Sequence, residues 1–262
     1  MVMAELITRK ENAVGWVIFS NPAKLNAVTH DMWMALPGKI AALDADPEVR
    51  MIVITGDGDK AFISGADISQ FEKTRGSAEA QAIYNRSVVD AYEAPARCSK
   101  PVVAKIRGIC MGGGLGLAAA CDVRIAAADA VFRMPAARLG LGYNFTGIKR
   151  FVQLLGVANT SDIFFSARKF DAADALVMGF VNRIVPVADL DREVAAYCEL
   201  VAENAPLTMA AAKFAILQTG LDPDARDLEQ AARMIEACFS SEDYREGRRA
   251  FMEKRKPNFT GK

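Results

Sequence analysis

Short apolar strands alternate with helical patterns along most of this chain, and this order constrains the possible folds more than any other feature. Only helical patterns follow from about residue 187 to the end. The strand patterns cover residues 4–9, 14–19, 51–55, 101–106, 123–127 and 181–185. Strands that alternate with helices indicate an α/β fold, and the last segment indicates an appended helical region. A barrel of eight βα units needs more strands than these, so we exclude it.

Helices are predicted between the strands from caps and apolar spacing. Thr29 has the side chain of an N-cap residue for a helix over residues 30–44. Residues 77–94 form a second helical pattern with Tyr92 on its apolar side. Residues 115–121 indicate a short apolar helix.

The charge and composition exclude several classes of protein. The 262 residues include 32 Lys or Arg and 32 Asp or Glu, and a net charge of zero does not favour a nucleic-acid or membrane-surface partner. His30 is the only histidine, which argues against a His-ligated metal site or a Ser-His-Asp triad. The five cysteines include no CxxC pair, and no apolar run reaches the roughly 18 residues of a membrane span. We therefore expect a cytoplasmic protein with no metal, nucleic-acid or membrane partner.

A cluster of glycines follows the strand pattern at residues 101–106. Gly112, Gly113 and Gly114 stand between that strand and the short apolar helix. Glycines here let another group approach the backbone, and they leave N–H groups at the helix start free to point at negative charge. No Lys-Ser or Lys-Thr pair follows, and the spacing does not fit the dinucleotide fingerprint. A tight turn that packs the helix onto the sheet explains the cluster equally well.

A second corner of small residues follows the strand pattern at residues 51–55. It has the sequence FISGADI over residues 62–68. Two glycine-rich corners after neighbouring strands can present two backbone N–H groups to one oxygen, which is the geometry of an oxyanion hole. Taken alone, this corner is also explained by an ordinary loop with Asp67 as an N-cap.

Together these segments resemble the enoyl-CoA hydratase/isomerase family, also called the crotonase superfamily, over nearly the whole chain. Residues 21–27 read NPAKLNA and resemble the early CoA-binding segment of that family. The other resembling segments are residues 61–68, 112–114, 121–122, 132–135, 241–247 and 250–257. The resemblance implies a crotonase-like spiral of ββα units. It also implies a CoA thioester as the substrate, with no separate cofactor.

The resemblance assigns roles to residues of both corners. It implies that the N–H groups of Ala66 and Gly113 hold the thioester oxygen, and that Ala23, Lys24 and Ala66 lie near CoA. Thioester chemistry in the family passes through an enolate-like anion, which two preorganised donors stabilise. Each such donor typically lowers the barrier by roughly 3–4 kcal/mol.

The resemblance also divides the chain into an α/β core, residues 1–204, and a helical oligomerisation region, residues 205–262. The second region is expected to build a homotrimer or a dimer of trimers. Phe251 and Lys254 in this region are expected to touch CoA, often that of a neighbouring subunit.

The chain departs from the family at both catalytic positions. The typical hydratase has one glutamate two residues after the glycine triplet and another after the proline of a later strand. Gly116 and Ala136 occupy these positions here. Neither side chain can carry a proton or activate water, so ordinary hydration of crotonyl-CoA is expected to be slow. Carboxylates restored at both positions are expected to raise it if the pocket has room.

Tyr143 and Asn144 follow the second missing glutamate and are the remaining catalytic candidates. This segment resembles the methylmalonyl-CoA decarboxylase branch, in which a tyrosine lies at the active site. Loss of CO₂ creates the enolate without a base, which suits a site without glutamates. That branch carries a histidine in the first oxyanion corner, where this chain has Ala66. Decarboxylation, isomerisation, hydration by another route and binding of acyl-CoA without catalysis all stay open.

Overall fold

The computed structural model describes residues 4–70 and 76–262, and its strands form two sheets. The strands are β1 (Glu5–Glu11), β2 (Val14–Ser20), β3 (Met51–Gly56), β4 (Ala61–Ile63), β5 (Val102–Ile106), β6 (Ile109–Met111), β7 (Val123–Ala127), β8 (Val131–Arg133), β9 (Lys169–Asp171) and β10 (Arg183–Val185). The first sheet has the order β1-β2-β3-β5-β7-β10, and the second has the order β4-β6-β8-β9.

Parallel pairing prevails in both sheets. In the first sheet, the hairpin β1–β2 is antiparallel and the strands from β2 to β10 run parallel. In the second sheet, β4, β6 and β8 run parallel and β9 is antiparallel to β8. Parallel neighbours place their carboxyl ends at the same edge, where loops can converge on one site.

Helices connect the strands and then follow them. They are α1 (His30–Ala45), α2 (Ala78–Arg97), α3 (Gly113–Ala120), α4 (Phe145–Ser166), α5 (Ala172–Val177), α6 (Leu190–Ala202), α7 (Pro206–Thr219), α8 (Leu228–Ser240) and α9 (Glu242–Glu253). Thr29 caps α1 as predicted, because its side chain accepts a hydrogen bond from the N–H of Met32 at 3.3 Å. In α7, the ammonium group of Lys213 lies 2.8 Å from Asp122 and attaches the last helices to the α/β part.

The first sheet lies between two apolar layers. Alternate side chains of β3 enter different layers: Ile52 and Ile54 join the cluster that contains Trp33 of α1, and Val53 joins the cluster that contains Val194 of α6. A strand buried on both faces has a continuous apolar sequence rather than an alternating one. This explains why the strand over residues 51–55 was recognisable in the sequence.

The structure confirms the α/β fold with a helical C-terminal segment. All six strand patterns correspond to strands of the first sheet, β1, β2, β3, β5, β7 and β10. No residue pattern predicted the four strands of the second sheet, because each has only three residues and shows no periodicity; the resemblance alone implied a strand near residues 132–135, where β8 lies. Helix α3 begins at Gly113 and not at residue 115, and α4 was not predicted. The division at residue 204 stays a prediction.

Membrane-spanning potential was assessed over the part of the chain that the structure describes. No single helix there has both the length and the apolar composition to cross a membrane. One pair, Val187–Ala202 with Pro206–Thr219, meets both conditions only when taken together, and it is bent by 104°.

Candidate active site

The corner after β4 presents the amide group of Ala66. Val28 pairs with this corner: its N–H donates to the carbonyl of Gly65 at 2.8 Å, and its carbonyl accepts from the N–H of Asp67 at 2.8 Å. Because successive peptide groups of an extended segment point in opposite directions, the N–H of Ala66 points away from Val28. It has no hydrogen-bond partner among the described residues. Gly65 has a φ of +126°, a conformation that favours glycine.

The corner after β6 presents the amide group of Gly113. Gly112 has a φ of +51°, and its N–H donates to the carbonyl of Arg133 at 2.9 Å. Gly113 begins α3, so its N–H lies in the first turn, where a helix provides no acceptor. It has no partner in the described part of the chain. A Cβ atom on Gly114 would lie 2.4 Å from the carbonyl oxygen of Ile63, so only glycine lets α3 pack directly on β4.

The two corners lie side by side at one edge of the second sheet. β4 and β6 are parallel neighbours, and a Cβ atom on Gly112 would lie 3.9 Å from the Cα atom of Gly65. Ala66 and Gly113 both line one cleft of about 740 Å³. The structure therefore brings the two predicted donors together, and two unpartnered N–H groups in one cleft can bind a negatively charged oxygen.

Among the described residues, the wall of this cleft contains none of the usual general bases. The described residues that line it include no Asp, Glu, His or Cys, and Arg86 is the charged side chain among them. Ala136, at one expected glutamate position, is buried and lines the cleft. Gly116, at the other, is buried on α3 and is covered by other side chains.

Two tyrosines cover Gly116. A Cβ atom on Gly116 would lie 2.6 Å from the Oη atom of Tyr92 and 2.7 Å from the Oη atom of Tyr143. Tyr92 Oη donates to the carbonyl oxygen of Gly113 at 3.1 Å, whereas Tyr143 Oη is buried and has no partner among the described residues. Burial raises the pKa of Tyr143 to about 12 and the pKa of Tyr92 well above its ordinary value. Both phenols therefore stay protonated at neutral pH.

The two candidates that follow Ala136 have different surroundings. Tyr143 lines the cleft, and its ring packs edge-on against Phe164 and Phe151, with centroid distances of 5.2 and 6.3 Å. Asn144 is the N-cap of α4, where its Oδ1 atom accepts a hydrogen bond from the N–H of Gly147 at 2.7 Å. Asn144 also lines the cleft, but its side-chain oxygen is used by the helix.

The residues expected near CoA fall into two groups. Lys24 lies close to the first corner, because its ammonium group contacts Asp67 at 2.8 Å and Ser69 at 2.7 Å. Ala23 is exposed in the same short 3₁₀ helix, Pro22–Lys24. Phe251 and Lys254 lie at the end of α9, and neither lines the cleft of the single chain.

Sequence reasoning missed the part that Tyr92 plays at this site. Its place on the apolar side of a predicted helix marked it as an ordinary core residue. The available signal was Gly116 itself, because a glycine inside an apolar helix often marks a close approach by another group. Sequence alone does not show which side chain makes that approach.

The comparison with known proteins agrees with this geometry. A model of the enoyl-CoA hydratase/isomerase family matches residues 9–262. The chain is 32% identical to a crotonyl-CoA hydratase of Syntrophomonas wolfei, with 100% of both chains covered. It is 33% identical to a short-chain-enoyl-CoA hydratase of Clostridium acetobutylicum, with 98% of this chain and 97% of the relative covered.

Solved structures give the same result. The crystal structure of an enoyl-CoA hydratase/carnithine racemase from Magnetospirillum magneticum superimposes with a TM-score of 0.94 at 32% identity, over 100% of this chain and 97% of the other. A match of this quality over the whole length covers both sheets and the last helices. The chain belongs to the enoyl-CoA hydratase/isomerase family, the crotonase superfamily.

Proposed function

We propose that this enzyme acts on an acyl-CoA thioester and binds the thioester carbonyl oxygen through the N–H groups of Ala66 and Gly113. Two unpartnered amides at the ends of neighbouring parallel strands support this assignment. The two relatives described above are hydratases of crotonyl-CoA and of short-chain enoyl-CoA, which are thioesters of this class. Such donors stabilise the negative charge that develops on the thioester oxygen.

The described side chains of this site can supply a proton but cannot remove one. The observation that carries this proposal is the contact of Tyr92 and Tyr143 with Gly116, where a hydratase of the usual kind has a glutamate. A phenol whose pKa is raised by burial stays neutral, so it can donate a proton but is a poor base. The described wall of the cleft offers no carboxylate that performs the opposite step.

Decarboxylation of a 2-carboxyacyl-CoA, such as methylmalonyl-CoA, fits these groups best. The bond between the α-carbon and the carboxylate breaks, and CO₂ leaves. Its electron pair becomes the enolate, whose oxygen is held by the N–H groups of Ala66 and Gly113. The α-carbon then takes a proton from the hydroxyl of Tyr143, which lines the cleft, and the resulting phenolate regains a proton from solvent. No step requires a base, an oxidant or a metal ion.

The C-terminal helices support an assembly of several copies. Phe239, Phe251 and Met252 on α8 and α9 expose 61%, 82% and 80% of their surface in the single chain. Apolar side chains exposed to this extent on neighbouring helices indicate a contact with another protein surface. We propose a homotrimer, or a dimer of trimers, in which Phe251 and Lys254 reach the CoA of a neighbouring subunit while Ala23 and Lys24 lie near the CoA of their own.

The proposed reaction is tested with the purified protein and three thioesters: methylmalonyl-CoA, crotonyl-CoA and a 3-enoyl-CoA. Chromatography of the products should show conversion of methylmalonyl-CoA into propionyl-CoA, with one deuterium at the α-carbon in D₂O. Hydration of crotonyl-CoA should run several orders of magnitude below ordinary enzyme turnover, which is about 1–10³ per second. Tyr143→Phe should lose decarboxylation and should still bind CoA thioesters, because only the hydroxyl is removed.

Two other outcomes lead to different conclusions. Hydration of crotonyl-CoA at tens of turnovers per second means that the site activates water by another route, and the proton-donor proposal is then wrong. Binding of all three thioesters without turnover of any identifies an acyl-CoA-binding protein that has lost catalysis. Calorimetry of CoA binding separates this case from a failure to recognise CoA.

A further inference from the structure

A second cavity lies behind the two tyrosines. It has a volume of about 30 Å³, and its walls include Gly116, Ala119 and Gly147; we call it the back chamber. Tyr92 and Tyr143 belong to the walls of both the cleft and the back chamber. These two side chains therefore stand as a partition between the large cleft and a small second cavity.

The partition stands a short distance from the proposed carbonyl site. Gly116 follows Gly113 by three residues on α3, which is a rise of about 5 Å along the helix axis. The hydroxyl groups of Tyr92 and Tyr143 lie at the Cβ position of Gly116. An acyl chain that starts at the N–H of Gly113 and runs along α3 meets the partition after about four carbon atoms.

The two tyrosines are held in different ways. The hydroxyl of Tyr92 is bonded to Gly113, and its ring meets that of Trp33 edge-on at 5.6 Å. Tyr143 has no hydrogen bond from its hydroxyl and is held by contacts with Phe151 and Phe164. Tyr92 keeps its hydrogen bond to Gly113 when Tyr143 is removed, whereas removal of Tyr92 loses that bond.

We infer that Tyr143 limits the length of the acyl chain that this enzyme accepts, and that the back chamber receives longer chains when the Tyr143 side chain is removed. The inference rests on the proposed binding of acyl-CoA in the cleft. It defines the substrates as thioesters with an acyl group of about four carbons. Glu93 and Arg150 also line the back chamber, but Gly116, Ala119 and Phe151 give it one small or apolar side, which suits methylene groups.

The test measures dissociation constants by calorimetry for acetyl-, butyryl-, hexanoyl- and octanoyl-CoA with the full-length protein. Saturated thioesters are used because they bind without reacting. In the unmodified protein, affinity should rise up to butyryl-CoA and then level off or fall. Hexanoyl-CoA has two methylenes more than butyryl-CoA, and each methylene that becomes buried tightens binding about fourfold. The affinity ratio of hexanoyl-CoA to butyryl-CoA should therefore be about fifteenfold higher in Tyr143→Ala than in the unmodified protein.

Two matched variants make the result specific to the partition. Tyr143→Phe keeps the ring. The affinity of this variant should therefore change with acyl chain length in the same way as that of the unmodified protein. Ala119 is buried and lines only the back chamber. Ala119→Leu added to Tyr143→Ala fills the opened space and should abolish the gain for hexanoyl-CoA. If Tyr143→Ala does not fold by circular dichroism, Tyr143→Leu removes the ring and keeps more apolar bulk.

The possible failures can be told apart. If no acyl-CoA of any length binds the unmodified protein, the proposed function is wrong. If acyl-CoA binds but its affinity for the unmodified protein keeps rising from butyryl- to octanoyl-CoA, or Tyr143→Ala does not change the profile, the inference about Tyr143 is wrong. If hexanoyl-CoA still binds more tightly after Ala119→Leu is added to Tyr143→Ala, the extra space lies outside the back chamber, and the inference is also wrong.

Discussion

The hydroxyl of Tyr92 lies 3.1 Å from the carbonyl oxygen of Gly113, so one hydrogen bond joins α2 to the first turn of α3. The same residue of α3 provides the amide that we assign to the thioester oxygen. A side chain on one helix thus fixes the position of a backbone group on another.

We predict that Tyr92→Phe lowers the free energy of unfolding by about 0.5–1.5 kcal/mol, because it removes the hydrogen bond from the hydroxyl to the Gly113 carbonyl. Tyr143→Phe is the matched control: its hydroxyl has no partner, so the free energy of unfolding should change by less than about 0.5 kcal/mol. Urea denaturation at one fixed protein concentration measures both. If the free energy of unfolding falls equally in the two variants, the hydrogen bond from Tyr92 to Gly113 has no net effect on stability.

The surroundings of Gly116 correct one expectation from the sequence. A carboxylate at this position was expected to restore hydration if the pocket had room, but the space at its Cβ position is occupied by Tyr92 and Tyr143. We predict that even Gly116→Ala lowers the free energy of unfolding, by about 1–3 kcal/mol, because side chains must shift. Gly116→Glu should therefore lower the melting temperature without producing hydration.

Gly38 provides a control for this substitution. It lies inside α1, and a Cβ atom there would meet nothing within 4 Å. Gly38→Ala should raise the free energy of unfolding by about 0.5–1 kcal/mol, since alanine restricts the unfolded chain and favours the helix. If Gly38→Ala and Gly116→Ala lower the free energy of unfolding by similar amounts, the two tyrosines do not restrict the space at Gly116.

The part of the fold that was predictable from the sequence is the first sheet. Its strands either have continuous apolar sequences, as β3 does, or form a hairpin, as β1 and β2 do, and both patterns are legible locally. The second sheet has strands of three residues each, which pair only because the chain returns to them from distant positions. Residue spacing therefore did not reveal β4, β6, β8 or β9, although they carry both corners of the site.

The candidate site, like the fold, was predictable only in part. Gly65 and Gly112 are required by backbone conformation and were recognisable as corners, and the family resemblance then assigned the roles of Ala66 and Gly113. Tyr143 was a catalytic candidate from the sequence, but the contact of Tyr92 and Tyr143 with Gly116 was not foreseen, because Tyr92 reaches Gly116 from a different helix. A contact of this kind depends on helix packing, which no local pattern specifies.

The stability of the first corner should depend on pH through Asp67. Burial raises the pKa of this carboxyl, but the hydrogen bonds from Lys24 and Ser69 outweigh that effect and leave the pKa below its ordinary value of 3.8. A pKa that is lower in the folded state adds stability above the ordinary value, and this stability is lost as the pH falls through the folded-state pKa. Asp67→Asn should therefore be less stable than the unmodified protein at pH 6–7.

The difference between the two proteins should narrow as the pH falls below about 4. Urea denaturation at several pH values from 3 to 7 measures this, with Asp59→Asn, a change at an exposed position on another loop, as the control. A difference between Asp67→Asn and the unmodified protein that is independent of pH would mean that the carboxylate charge does not stabilise this corner.

The proposed assembly predicts the effect of a charge on the last two helices. Phe239→Asp and Phe251→Asp each place a carboxylate in the exposed apolar surface of α8 and α9, which is costly only where that surface is covered by another subunit. Light scattering should give a trimer or hexamer for the unmodified protein and smaller species for both variants. A monomer for the unmodified protein at micromolar concentration would refute the assembly.

The last prediction isolates one amide group. Gly113→Pro removes the N–H that we assign to the thioester oxygen, at the first position of α3, where proline fits the helix backbone. Gly113→Ala adds a similar Cβ atom, 3.0 Å from Cζ2 of Trp33, and keeps the N–H. The proline variant should therefore turn over its thioester substrate about 10²–10³-fold more slowly than the alanine variant, with similar affinity for free CoA, since the oxygen loses one of two donors. Equal turnover in two folded variants would show that the N–H of Gly113 does not stabilise the transition state.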